Sequence, residues 1–180
     1  GEQARMRDGW GPKWLLPLAG RPFVWHVTER LRRAGHRQIV LTVQDRYSDA
    51  AIEAVAGWSV SVFSQERALG TLGNLQAVCA AWPGAEPVCC VPGDVLWETG
   101  APEASGEFAA PMTLFVSDLT VDARNLALTA DGYVAAYERA GGLTHTDLGP
   151  VVWHRSLLES LPSEGDWETL LPELLLGGLR

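Results

Sequence analysis

The chain has 180 residues, 47% hydrophobic and 20% charged, a balance that fits one globular domain and excludes a disordered chain. Its net charge of −8 argues against general nucleic-acid binding, which needs a basic face, and no apolar run reaches the roughly 18 residues that span a bilayer. The opening GEQARMRDGW is polar and basic, unlike a secretory signal, and Cys79, Cys89 and Cys90 lack the C-x-x-C spacing of a zinc site. The three thiols read as small core residues of a reducing compartment, which makes the cytoplasm the expected location.

In chain order, a basic loop carrying Arg5, Arg7 and Lys13 precedes the short apolar stretch Trp14 to Leu18. A turn follows at Ala19-Gly20-Arg21. Pro22 then opens a predicted helix whose Phe23, Val24, Val27 and Leu31 fall at helical spacing, with Gly35 as the stop. Gln38 to Val43 is a β-branched strand. Ser48 is the expected cap of a second helix, ended by Gly57, and Ser59 to Phe63 alternates as a strand. Thr71 to Ala81 reads as a helix and Pro87 to Val91 as a buried strand.

Alternation of strands and helices to Val91 predicts an α/β fold: a three-layer α/β/α, Rossmann-like arrangement around a mixed, mostly parallel sheet. The rhythm then changes. Met112 to Val116 is a strand, and Leu126 to Thr129 with Tyr133 to Tyr137 is a hairpin, with Asp131-Gly132 as a type I′ turn signal. Val151 to Trp153 is the last strand. Leu157 to Leu161 and Trp167 to Leu176 are the terminal helices, the second with Asp166 as its expected cap. In an open α/β sheet, ligands bind beyond the carboxyl ends of the parallel strands, so the loops before Trp14, after Phe63 and after Val91 are the expected site.

Three motifs in those loops, Pro12-Lys13 to Gly20-Arg21-Pro22, Gln65-Glu66 with Leu69-Gly70-Thr71, and Val91-Pro92-Gly93-Asp94, resemble those of the sugar-1-phosphate nucleotidyltransferases. The run from Pro12-Lys13 through Leu16-Pro17 to Gly20-Arg21-Pro22 is similar to the family's Pro-Lys…Leu-Pro…Gly-Arg-Pro signature. Ser64-Gln65-Glu66 with Leu69-Gly70-Thr71-Leu72-Gly73 resembles its Gln-Glu…Leu-Gly-Thr-x-Gly segment, and Val91-Pro92-Gly93-Asp94 its strand ending in Gly-Asp. Heptose- and mannose-1-phosphate guanylyltransferases are the most similar type. The resemblance covers residues 1–96 well and the remainder loosely, and implies one domain over residues 1–180. Residues 1–96 would form a nucleotide-binding half and 97–180 a sugar-binding half.

The implied reaction joins a nucleoside triphosphate to a sugar 1-phosphate and releases pyrophosphate. Such a transfer requires positioning and charge neutralisation rather than a covalent nucleophile. The resemblance places Gly1 and Arg5 at the triphosphate and Lys13 at the α-phosphate or the incoming phosphate. Gln65, Gly70 and Thr71 would line the base pocket. Asp94 would hold Mg²⁺, an ion that takes one or two carboxylates plus phosphate oxygens; the alternative is a strand-end turn residue.

On the sugar side, Glu138 and Arg139 resemble the family's Glu-Lys pair, and Asp147 with Gly149 its Asn-x-Gly step; for Glu138 and Asp147 sugar contact and plain surface stand as equal readings. The scattered His26, His36, His145 and His154 form no metal-binding pair. Trp10 and Trp14 flank the basic loop, where a base could stack. The expected partners are a nucleoside triphosphate and a sugar 1-phosphate, with neither nucleic acid nor membrane, and a homodimer is compatible with this.

The family begins with an apolar strand before a glycine-rich loop, and carries a second metal-binding Asp near its C-terminus. Neither stands in this sequence, so the expectation is a chain incomplete at both ends. A nucleotidyltransferase acting on a non-sugar acceptor, an alcohol phosphate or molybdopterin, and a non-catalytic nucleotide-binding relative are the rival readings.

Overall fold

The computed structural model describes residues 11–84, 87–97, 102–104, 108, 110, 112–117, 125–138 and 141–176. Contacts group the chain into two compact units, Gly1–Ala68 with Val91–Glu107, and Leu69–Cys90 with Phe108–Arg180.

In the first unit, Lys13–Leu15 forms a 3-10 turn and leads into a minimal hairpin of β1 (Pro17–Leu18) and β2 (Arg21–Pro22). Its two-residue loop places Ala19 at φ 48 and Gly20 at φ 77, the type I′ geometry. Alanine in the left-handed region carries a steric cost of about 1–2 kcal/mol that asparagine largely escapes. Ala19→Asn should therefore raise Tm by about 2–4 °C in a thermal melt.

Helix α1 (Phe23–Arg33) buries Val24, Val27, Thr28 and Leu31, the i, i+3, i+4, i+7 stripe of an amphipathic helix. Val27 and Leu31 pack with Ile39 and Trp97 into this unit's core, and Val91, Val95 and Leu96 lie against it. β3 (Ile39–Gln44) pairs in parallel with β4 (Val60–Gln65), in register from Ile39↔Val60 to Gln44↔Gln65. Between them lies α2 (Ser48–Ala54). A 3-10 turn, Asp45–Tyr47, runs straight into α2, so Ser48 already has helical dihedrals (φ −58, ψ −51) and does not serve as its cap. A cap needs the extended backbone that this residue has lost.

The second unit is built on α3 (Gly70–Ala81) and a three-stranded sheet in the order β5 (Val88–Cys90), β9 (Thr146–Trp153), β6 (Met112–Ser117). Both pairings are antiparallel, as is the hairpin of β7 (Leu126–Leu128) and β8 (Val134–Tyr137). The fold is thus mixed α/β, but the sheets are small, and among the described strands only β3–β4 is a parallel pair. A parallel partner needs a crossover of a dozen or more residues, usually helical. From β6 to β9 the described chain contains no helix, and its strands fold back on one another.

The β7–β8 turn also departs from expectation. Gly132 alone takes a positive φ, +81, while the Gly132 N–H donates to the Thr129 carbonyl at 3.0 Å and Thr129 N–H to the Tyr133 carbonyl at 2.8 Å. This is a three-residue loop, a type I turn closed by a left-handed glycine, rather than type I′.

The core of the second unit joins Leu72, Leu75 and Cys79 of α3 to Val151 and Trp153 of β9. Leu126 and Tyr137 of the β7–β8 hairpin, Leu158 of α4 (Arg155–Ser160), and Trp167 and Leu171 of α5 (Trp167–Leu176) complete it. Polar contacts fix α3 along its whole length. Asp166 sits at its N-terminal end, Gln76 Nε2 donates to the carbonyls of Leu158 (2.5 Å) and Leu161 (2.9 Å), and Arg155 donates to those of Cys79 (2.7 Å) and Trp82 (3.0 Å). An anion at the N-terminus and a cation at the C-terminus complement the helix dipole.

Candidate active site

Lys13 and Asp94 stand 81 residues apart in sequence, yet Lys13 Nζ and Asp94 Oδ2 form an ion pair at 3.2 Å. The 3-10 turn at Lys13 is closed by Leu15 N–H to the Pro12 carbonyl (2.9 Å), and Pro12 is buried beneath it. Asp94 is set by its apolar neighbours: Val91, Val95 and Leu96 dock on the core and Trp97 is 6% exposed, so the intervening carboxylate faces outward. The Gly93 backbone passes close to the Trp14 side chain, where an added Cβ would lie 3.8 Å from the Trp14 Cβ. Both charged side chains are 43% exposed. Trp14 meets Tyr47 edge-on at 6.5 Å, and the Arg46 guanidinium lies over the Tyr47 ring at 4.8 Å.

Gln65 ends β4 opposite Gln44. Gly70 and Thr71 open α3 in the second unit. There Asp166 Oδ1 accepts from both the backbone N–H and the hydroxyl of Thr71, each at 3.0 Å. Leu72 N–H donates to the Gly165 carbonyl (3.0 Å) and Gly165 N–H to the Leu69 carbonyl (2.9 Å). Asp166 is the expected cap of the following helix, and its contact with Thr71, 95 residues away, leaves no local signal in the sequence.

Two of the sugar-side candidates meet around Asn125, a residue that no motif or periodicity singles out. Its carbonyl accepts from Glu138 N–H and its Oδ1 from Asp147 N–H, both at 2.8 Å. The Glu138 side chain is exposed. Asp147 Oδ1 accepts from Gly149 N–H at 2.7 Å, so its carboxylate organises its own turn. Gly1, Arg5 and Arg139 lie outside the described residues, as does Trp10.

Burial raises the Asp147 pKa above the ordinary carboxylate value, and the Gly149 N–H opposes this in part. The native state then holds that proton more tightly than the unfolded chain. Stability falls as pH rises from the ordinary carboxylate range through the raised value, and the full penalty stands at neutral pH. Asp147→Asn keeps the acceptor for Gly149 and removes the buried charge. Its Tm should exceed the wild type's at pH 7, and the two melting curves should converge toward pH 3.

Other ionisable side chains have structural roles. Nε2 of His26, His36 and His154 lies 2.7 Å from the carbonyls of Leu18, Pro102 and Phe108, and because a carbonyl only accepts, each ring donates. Burial pushes the thiol of Cys89 up to about 12 and that of Cys90 to about 11, which keeps both protonated and poorly nucleophilic.

A family model described as "MobA-like NTP transferase domain" matches residues 1–166. The chain belongs to the MobA-like NTP transferases. It is 29% identical to the 3-deoxy-manno-octulosonate cytidylyltransferase of Xanthomonas euvesicatoria, over 86% of this chain and 63% of that enzyme, so it spans less than two thirds of that relative's length. It is 37% identical to the bifunctional protein GlmU of Sinorhizobium fredii over 57% of this chain and 23% of that protein. Among solved structures, HddC from Yersinia pseudotuberculosis superposes with a TM-score of 0.72 at 19% identity, covering 88% of this chain and 74% of HddC. The inositol-1-phosphate CTP transferase from T. maritima gives 0.75 at 18% identity, covering 96% and 76%. At such identities the likeness establishes the fold.

Of the donors that a magnesium ion takes, the described site offers a single carboxylate. Among the described residues no group of three or more His, Cys, Asp or Glu side chains could cage a metal. Asp94 provides one carboxylate, and its Oδ1 has no partner among those residues. One protein carboxylate completed by phosphate oxygens and water is a usual magnesium arrangement. No helix among the described residues is long and apolar enough to cross a membrane.

Proposed function

We propose that the protein transfers a nucleotidyl group from a nucleoside triphosphate to a sugar 1-phosphate. The acceptor phosphate oxygen bonds to the α-phosphorus, the bond to the bridging oxygen breaks, and pyrophosphate leaves with that oxygen. The observation that supports this best is the Lys13–Asp94 pair, one cation and one carboxylate held 3.2 Å apart by two motif loops. Lys13 would bind the phosphate oxygens that gain charge during transfer, where a fixed cation stabilises the transition state more than the ground state. Asp94 would hold Mg²⁺, which when bound neutralises triphosphate charge. Gly1 and Arg5 would contact the triphosphate, and Gln65, Gly70 and Thr71 the base. Glu138, Arg139, Asp147 and Gly149 would face the sugar.

A second acceptor is favoured by the 29% identity to the Xanthomonas enzyme: 3-deoxy-manno-octulosonate, a sugar acid. Pyrophosphate release, measured for ATP, CTP, GTP and UTP with Mg²⁺, separates the two. Sugar 1-phosphates, 3-deoxy-manno-octulosonate and inositol 1-phosphate form the acceptor panel. Release is expected with sugar 1-phosphates and one preferred nucleotide. Turnover confined to either of the other acceptors would overturn the sugar 1-phosphate assignment, and nucleotide binding without turnover would favour a non-catalytic relative.

A further inference from the structure

The N-terminal end of α3 is already occupied. Its Thr71 N–H is taken by the Asp166 carboxylate and its Leu72 N–H by the Gly165 carbonyl, both at 3.0 Å. A helix N-terminus offers such N–H groups to phosphate, but here a carboxylate fills that place and would repel a second anion. The Thr71 hydroxyl is fixed as well. An ionised carboxylate only accepts, so the hydroxyl proton is directed to Asp166 Oδ1 at 3.0 Å. Thr71 is exposed, and what its hydroxyl then presents to a ligand is lone pairs.

We infer that Asp166 is a positioning residue that makes Thr71 a fixed hydrogen-bond acceptor, reading an N–H donor edge of the nucleotide base and keeping phosphate away from α3. This rests on the proposed reading of Gly70 and Thr71 as base-lining residues. A carboxylate that merely capped the helix would contribute stability and leave nucleotide affinity untouched.

The test is a double-mutant cycle on nucleotide affinity, with Kd for ATP, CTP, GTP and UTP measured by calorimetry for the wild type, Asp166→Ala, Thr71→Val and the double variant. Each single change should weaken the preferred nucleotide on the order of tenfold, and the double variant little further, since both remove one shared arrangement. Asp166→Asn, whose amide oxygen still accepts from Thr71, should restore most of the affinity. Asp166→Ala with a lower Tm but wild-type Kd would reduce Asp166 to a cap and overturn the inference, as would additive effects of the two changes. A wild type whose nucleotide binding depends on Asp166 but which releases no pyrophosphate keeps the inference and fails the transferase reading. A wild type that binds none of the four nucleotides overturns both.

Discussion

Asp94→Ala should lower pyrophosphate release on the order of 10³-fold or more while shifting Tm by no more than a few degrees. The two halves of this expectation have different origins. The Lys13–Asp94 pair is exposed, with 43% of each side chain accessible, and such pairs contribute about 0–1 kcal/mol to folding because water and salt screen them. Their loops are held instead by apolar burial around Val91, Val95, Leu96 and Trp97, which the substitution leaves intact. In a closed complex with a triphosphate the same charges would act at lower effective dielectric and oppose charge that grows during transfer. Asp94→Asn sharpens the test, since it keeps the shape and removes only the charge. Steady-state pyrophosphate release as a function of Mg²⁺, beside a thermal melt, reads both quantities. Wild-type turnover in either variant would remove Asp94 from the chemistry; a collapse of Tm would assign it to the fold.

Much of the first unit was legible because its signals are local. The stripe of Val24, Val27 and Leu31 defines α1 from spacing alone, and the run from Gln38 to Val43 reads as a strand without reference to its partner, within a residue of the observed Ile39–Gln44. Lys13 and Asp94, singled out by separate motifs, lie 3.2 Å apart, a proximity that neither motif expresses alone. What was not legible depends on partners far away in sequence. β9 inserts antiparallel between β5 and β6, a choice that the pattern of β9 alone cannot express, because Val151 and Trp153 would bury equally well in a parallel sheet. Asn125 organises Glu138 and Asp147 through hydrogen bonds that leave no periodic trace. Turn chemistry failed for a different reason. The Asp-Gly pair at 131–132 carries the type I′ signal, but Ala130 extends the loop to three residues, and the type I′ conformation appears at Ala19-Gly20, where alanine hides it.

Gly70→Ala should be the most damaging single-methyl addition in the second unit. Gly70 has φ +76, and a Cβ there would collide with the backbone carbonyl of Gly165 rather than with a movable side chain. The left-handed backbone disfavours alanine by roughly 1–2 kcal/mol, and forcing the Gly165 segment away adds about 1–3 kcal/mol of overpacking. Together these correspond to a fall in Tm of about 4–20 °C. Gly132→Ala is the matched control: its φ is +81, but nothing lies within 4 Å of the added methyl, so only the backbone cost remains. A larger loss at Gly70 than at Gly132 therefore measures the contact and not the dihedral. The displacement would also pull Gly165 from its hydrogen bonds with Leu69 and Leu72 and carry Asp166 away from Thr71. Nucleotide affinity should fall with stability in Gly70→Ala and stay at the wild-type level in Gly132→Ala, whose glycine lies at the tip of the β7–β8 hairpin. Equal melting losses in the two variants would show that the Gly165 segment yields freely, and that the tight approach of Gly70 to it contributes nothing to holding α3.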